Sequence, residues 1–231
     1  MTDYTTTPAA YLFDMDGLLL DTERCYLEVG LPLLTALGHS AADMRAFFLS
    51  LVGSSEKVTH ARLVDLIGDE AEAQRFQAQW RAQLGVRLST HVPLRPTVAD
   101  TLADLHAAGA RMAVVTSTYG QAARHHLHVA GLIDYFEVVI GGDEVTANKP
   151  DPAPYLQAAA AMGVAAAHCA AFEDSDRGIT SAVRAGCRAV QIPDLRPADT
   201  ALPDLGQHVA TDLRRAVALV GGVGDVAETT D

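Results

Sequence analysis

Apolar and polar positions follow two different rhythms along this chain. Residues 10–13 (Ala-Tyr-Leu-Phe), 112–115 (Met-Ala-Val-Val) and 169–172 (Cys-Ala-Ala-Phe) are short unbroken apolar runs that stop at polar residues. Such runs predict strands buried on both faces. Residues 136–140 and 189–192 predict two more. Between them, helical spacing predicts helices over 98–108, 120–130, 151–162 and 176–185, with Gly109, Gly131 and Gly186 as stops. Strands alternating with helices predict a parallel α/β sheet with helices on both faces.

Residues 22 to about 83 break that alternation. Leu27, Leu31, Leu34 and Leu37 recur at helical spacing, as do Met44, Phe47, Phe48 and Leu51, and then Val58, Leu63, Leu66 and Ile67. Phe76 and Trp80 stand four apart, and Gly38, Gly53 and Gly68 punctuate the runs. With no strand pattern here, the spacing predicts about four helices inserted between the first and second strands. The crossings fall near 21–23 and 92–96. The expected division is a core of 9–22 plus 95–222 and an inserted helical domain of 23–94. The Gly-rich, polar segment after Val220 is expected to fray.

Composition narrows the class. The chain has 231 residues, 49% hydrophobic and 20% charged, which is globular and long enough for a full core. Against 17 Lys and Arg stand 29 Asp and Glu, a formal net charge of −12. That balance disfavours a phosphate backbone as partner, so no nucleic-acid binding is expected. An anionic substrate would need positive charge built into its site. Cys25, Cys169 and Cys187 are far apart and form no ligand spacing, as expected of reduced thiols in a cytoplasmic protein. The Thr-rich residues 1–10 do not read as a signal peptide, and no apolar run is long enough for a membrane span.

Four polar clusters fall at the carboxyl ends of predicted strands or in the loops after them: Asp14/Asp16, Thr116/Ser117, Lys149, and Glu173/Asp174. Open parallel sheets bind ligands at that edge. Several acidic groups there suit Mg²⁺, which takes few carboxylates and leaves room for water and phosphate. A Lys and a Thr hydroxyl complement an oxyanion. Each cluster also has a plainer reading. Asp14 and Asp16 alone could serve a turn, Thr116 and Ser117 a helix cap, and Lys149 a solvated surface. His125, His126 and His128 are expected on a solvated helix face, because no carboxylate or Cys completes a zinc site. Phe47, Phe48, Phe76 and Trp80 are expected in the core of the helical insert.

Taken together, the clusters resemble the motifs of the haloacid dehalogenase (HAD) superfamily. Asp14-Met15-Asp16-Gly17-Leu18-Leu19-Leu20-Asp21-Thr22 matches the first motif. Thr116 behind Ala113-Val114-Val115 resembles the second, Lys149-Pro150-Asp151-Pro152 the third, and Phe172-Glu173-Asp174-Ser175 the fourth. The helical insert resembles the cap of the subgroup that includes β-phosphoglucomutase and many sugar-phosphate phosphatases. The resemblance implies a three-layer, Rossmann-like α/β core with an inserted all-helical cap. It also implies roles: Asp14 as nucleophile forming an aspartyl-phosphate, and Asp16 as general acid and then base. Asp14, the Asp16 carbonyl and Asp174 would hold Mg²⁺, with Glu173 in or next to that shell. Thr116, Ser117 and Lys149 would bind the phosphoryl group.

Within the family, Asp16 argues against a dehalogenase. Lys57 is out of place for a phosphonatase. In β-phosphoglucomutase a cap His and a cap-loop Arg are expected; this chain has Tyr26 and Glu56 there, with the loop reading Gly53-Ser54-Ser55-Glu56. Lys57 or Arg24 would have to hold any second phosphate. The expected activity is therefore Mg²⁺-dependent hydrolysis of a small soluble phosphate monoester, of a sugar or polyol, by a monomer or small homo-oligomer. The alternatives are mutase-type phosphoryl transfer and a non-enzymatic phosphate-ligand-binding protein.

Overall fold

A computed structural model describes residues 6–51, 54, 56–196 and 200–221. Its sheet runs β1 (Ala10–Phe13), β2 (Met112–Val115), β3 (Val138–Ile140), β4 (Cys169–Glu173), β5 (Arg188–Gln191) and β6 (His208–Val209). The spatial order is β3-β2-β1-β4-β5-β6, with every pairing parallel. All four residues of β1 and of β2 are buried. Helices on both faces leave those strands no polar side, hence their unbroken apolar sequences.

Alternation along β1 separates two apolar layers. Tyr11 and Phe13 point into one, with α5 (Val98–Ala107), α6 (Gly120–Val129) and α9 (Leu213–Leu219). Ala10 and Leu12 point into the other, with α7 (Ala153–Ala161) and α8 (Asp176–Arg184). The period of two sends neighbouring residues to opposite faces, which makes the three-layer sandwich.

Four helices lie between β1 and β2: α1 (Thr22–Ala36), α2 (Ala41–Leu49), α3 (Glu56–Ile67) and α4 (Glu70–Leu88). Ser40 accepts from the Asp43 N–H and Asp69 from the Glu72 N–H, side-chain caps at the starts of α2 and α4. The four helices build their own apolar cluster from Leu34, Met44, Phe48, Leu51, Leu63, Ala73, Phe76 and Trp80. Gly30 lets α1 approach Phe48 so closely that a Cβ there would collide with the ring.

The two crossings are tied together. The Asp21 N–H donates to the Pro93 carbonyl at 2.8 Å and the Arg95 N–H to the Leu19 carbonyl at 3.0 Å. Arg95 Nη1 lies 2.8 Å from the buried carboxylate of Asp194, in the loop after β5, and Arg24 lies 3.2 Å from Asp21.

Some elements differ from their sequence patterns. α4 extends to Leu88, past the expected end near 83, because Leu84 and Leu88 pack against the sheet-side cluster. The helix expected over 151–162 begins at Ala153, after the proline-bearing segment. β6 and α9 lie beyond the predicted elements: two residues of strand carry no periodicity, whereas Leu213, Ala216, Val217 and Val220 of the α9 segment do stand at helical spacing. The expected fraying after Val220 falls on residues 222–231, outside the described residues.

Candidate active site

The order of the sheet decides where the chemistry collects. Connections run from β1 outward to β2 and β3, then jump back to β4 on the other side of β1. That reversal opens a crevice beyond the carboxyl ends of β1 and β4. Asp14 follows β1 directly, and its N–H donates to the Phe172 carbonyl of β4 at 3.0 Å. Glu173 ends β4 and Asp174 follows it. Thr116 follows β2, with its N–H bonded to the Ile140 carbonyl at 3.0 Å.

Asp14, Glu173 and Asp174 each offer an oxygen within 4.8 Å of the others. Two glycines make room. At Gly178, the third residue of α8, a Cβ would collide with the Glu173 carboxylate; at Gly17 it would collide with Asp174. Gly17 also takes φ +82°, which suits glycine.

Lys149 reaches this cluster from the loop before α7. Its Nζ donates to Asp14 Oδ1 at 2.6 Å, to Glu173 Oε1 at 2.6 Å and to the Val115 carbonyl at 2.8 Å. All three ammonium hydrogens are thereby used. The residues are buried: Asp14 is 7% exposed, Lys149 4%, Glu173 0% and Asp174 5%. Burial alone would lower the lysine pKa, but Asp14 and Glu173 outweigh it and keep the ammonium charged. Burial pushes the Asp14 carboxyl up to about 8 against the pull of Lys149, with Glu173 and Asp16 adding to the rise. Burial also raises Asp174 well above the usual carboxylate range, and Asp14 and Glu173 raise it further.

One lysine therefore faces more negative charge than it can balance. Among the described residues no hydrogen-bond donor reaches the Asp174 carboxylate. Buried, crowded, all-oxygen and short of positive charge, the donor set fits a hard divalent cation such as Mg²⁺.

The Asp16 carboxylate does not join that cluster. It accepts from three hydroxyls: Thr22 Oγ1 at 2.6 Å, Thr118 Oγ1 at 2.8 Å and Thr116 Oγ1 at 3.3 Å. Thr116 is buried and Ser117 half-buried. At Gly142 a Cβ would collide with the Ser117 carbonyl.

Asp14, Asp16, Thr116, Ser117 and Lys149 all line one cavity of about 420 Å³, closed on its far side by α1, α2 and α4; Glu173 and Asp174 do not line it.

Several contributors escaped sequence reasoning. Tyr155 donates its hydroxyl to Glu173 Oε1 at 2.6 Å. Its signal was only an aromatic residue early in the helix after Lys149. The Arg177 guanidinium donates to the Lys149 carbonyl at 2.6 Å, anchoring that loop. His126 departs from the solvated face expected of it: it is half-buried, lines the cavity, and its Nδ1 has no partner. Burial lowers its pKa, with Asp16 opposing. Phe48 and Trp80 pack in the helical cluster as expected and also reach the cavity wall. Arg81, rather than Lys57 or Arg24, is the basic residue that the helical side contributes to that wall. Gly53, Ser55 and the side chain of Glu56, on which part of the argument against a mutase rests, lie outside the described residues.

Comparison with known proteins agrees with this geometry. The family described as haloacid dehalogenase-like hydrolase matches residues 11–192. Protein CbbY of Rhodobacter capsulatus is 32% identical over 217 residues, covering 85% of this chain and 93% of that protein. Fructose-1-phosphate phosphatase YqaB of Escherichia coli K12 is 32% identical over 185 residues, covering 80% and 96%. The crystal structure of a predicted phosphoglycolate phosphatase from Haemophilus somnus 129PT superimposes with a TM-score of 0.81 at 23% identity, covering 93% of this chain and 99% of that one. Matched along most of its length by the family and by named phosphatases, and carrying its acidic cluster at the switch point of a parallel sheet, the chain belongs to the haloacid dehalogenase-like hydrolases as an enzyme of the phosphatase kind.

Proposed function

We propose that the protein is a Mg²⁺-dependent phosphomonoesterase acting on a small phosphorylated metabolite through an aspartyl-phosphate on Asp14. The observation that carries this reading is the clamp of Lys149 on Asp14 and Glu173 beside Asp174. It presents one carboxylate to the cavity and leaves the charge balance open for a cation and a phosphate.

Mg²⁺, held by Asp14, Asp174 and the Asp16 carbonyl with Glu173 in or next to the shell, would neutralise phosphate charge against this acidic rim. The chain's own groups do the rest. An Asp14 oxygen attacks phosphorus while the phosphorus–oxygen bond to the leaving group breaks. Asp16, protonated, gives its proton to the leaving oxygen; as carboxylate it then takes one from the water that attacks the aspartyl-phosphate. Inorganic phosphate leaves and both aspartates return to their starting state. Thr22 and Thr118 hold the Asp16 carboxyl between the two transfers. Thr116 and Ser117 offer hydroxyls to the phosphoryl oxygens, and the Lys149 ammonium, its three hydrogens held by Asp14, Glu173 and the Val115 carbonyl, lends positive charge beside them.

In this reading residues 9–22 and 95–222 form the catalytic domain and 23–94 a cap. The separate apolar cluster of the four helices supports that division. Sugar or polyol phosphates are the class to test first, since YqaB is named for fructose 1-phosphate.

The test is a panel of phosphate esters assayed for phosphate release with Mg²⁺ and with excess EDTA. Release with Mg²⁺ that stops in EDTA is expected; strong turnover in EDTA would overturn the metal assignment. Mutase chemistry would instead show as glucose 6-phosphate formed from β-glucose 1-phosphate faster than phosphate is released.

A further inference from the structure

Beyond the reacting groups, the cavity is lined by polar side chains from two sides. Tyr26, Gln77 and Arg81 come from the helical insert, Tyr119 and His126 from the sheet side. Gln77 Oε1 is bonded to His60 at 2.7 Å, which leaves its amide N–H groups as donors.

His126 stands apart in this set. It lies on α6 one turn after Ala122, which lines the same cavity. Residues four apart share a helix face, so that face of α6 borders the cavity while the neighbouring His125 and His128 are exposed. The His126 ring is half-buried, and its buried Nδ1 has no hydrogen-bond partner among the described residues. A buried polar atom left unpaired is costly and calls for an explanation. Half a turn about Cβ–Cγ exchanges the ring nitrogens with carbons, so the imidazole can offer a nitrogen to a molecule filling the cavity.

We infer that His126 is a specificity-determining residue, which hydrogen-bonds a hydroxyl on the alcohol portion of a polyhydroxy phosphate monoester. The inference rests on the phosphomonoesterase reading and deepens it by naming what selects the alcohol. Burial lowers the His126 pKa and favours the neutral ring, which has one donor and one acceptor nitrogen. A hydroxyl both donates and accepts, and so matches it. Asp16 opposes that lowering, so the ring lies within electrostatic reach of the group that gives its proton to the leaving oxygen. A hydrocarbon chain beside His126 would leave the nitrogen unpaired.

The experiment pairs each hydroxylated ester with the n-alkyl phosphate of the same carbon number: fructose 1-phosphate and glucose 6-phosphate with n-hexyl phosphate, glycerol 1-phosphate with n-propyl phosphate. The ratio of kcat/KM within a pair is read in one protein, so a general loss of folded enzyme cancels. In the wild type at least one pair should favour the hydroxylated ester. His126→Leu should lower that ratio by about tenfold, through the KM of the hydroxylated ester. His126→Gln keeps a donor and an acceptor and should lose less. The inference is overturned if no pair favours the hydroxylated ester, if His126→Leu leaves the ratio unmoved, or if both variants lower it equally.

Trp80, the one tryptophan of the chain, also lines the cavity and gives a readout independent of turnover. In Asp14→Asn with Mg²⁺, the favoured hydroxylated ester should perturb its fluorescence at lower concentration than the alkyl partner. Adding His126→Leu should remove most of that difference. Should no ester be hydrolysed, this binding pattern alone would uphold the His126 contact while the phosphatase reading falls; its absence would overturn the contact.

Discussion

The rim of the sheet and the four-helix insert hold their polar groups in opposite ways. At the rim, carboxylates and a lysine are buried and interlocked: Lys149 bridges Asp14 and Glu173 at 2.6 Å each, and Tyr155 closes on Glu173. In the insert, two side-chain pairs lie at the surface. Glu28 with Arg87 and Glu70 with His60 are mostly solvated, and such pairs contribute little. What holds the insert is apolar packing around Phe48, Phe76 and Trp80. In a buried charge cluster, losing one partner leaves another charge uncompensated, so each member depends on the rest.

If that contrast is right, the rim should respond most to substitution. Asp14→Asn should lower kcat by at least about four orders of magnitude with unchanged circular dichroism, since the proposed mechanism makes Asp14 the nucleophile. Near-wild-type phosphate release would remove Asp14 from the mechanism.

Asp16→Asn comes next. Its amide cannot exchange a proton, so a loss of about 10²–10⁴-fold in kcat is expected. Its backbone carbonyl is kept, so Mg²⁺ affinity by calorimetry should hardly move. A collapse of metal binding would show that the side chain is a ligand.

Lys149→Met tests whether the rim is a strained charge balance. Removing the cation from a buried pair costs about 3–5 kcal/mol. Urea unfolding in EDTA should show that loss, and Mg²⁺ should restore more stability to the variant than to the wild type. Equal Mg²⁺ responses would mean that lysine and metal sites are uncoupled.

The smallest effect is expected where the two regions meet. Asp194→Asn weakens the ion pair with Arg95, 2.8 Å long and buried on the aspartate side. A stability loss of about 1–3 kcal/mol is expected, with KM rising more than kcat falls as the cap loses its anchor. A change in kcat alone would argue against a role in cap placement.

How much of this was legible beforehand depends on where each signal lives. The strands at 10–13, 112–115 and 169–173, and the switch to helical spacing after Thr22, follow from local periodicity, because burial on both faces or on one stripe leaves its mark on adjacent residues. Asp14 and Glu173 stood out because strand ends deliver ligand-binding groups in a parallel sheet. Tyr155 and Arg177 did not, for their value lies in partners 18 and 28 residues away in sequence. His126 was misjudged because helix position gives a face, and only packing tells which face a cavity borders.

The sequence by itself determined the alternation of strand and helix, the site of the helical insertion and the residue types at four loops, since each is encoded within a few neighbouring positions. Only the tertiary structure decided that β4 lies beside β1, that Lys149 shares its three hydrogens among Asp14, Glu173 and Val115, and that Trp80 and Arg81 of one helix face the same cavity as Asp16. Those facts depend on distances between remote segments. Such distances are set by how apolar surfaces pack, and no local pattern records them.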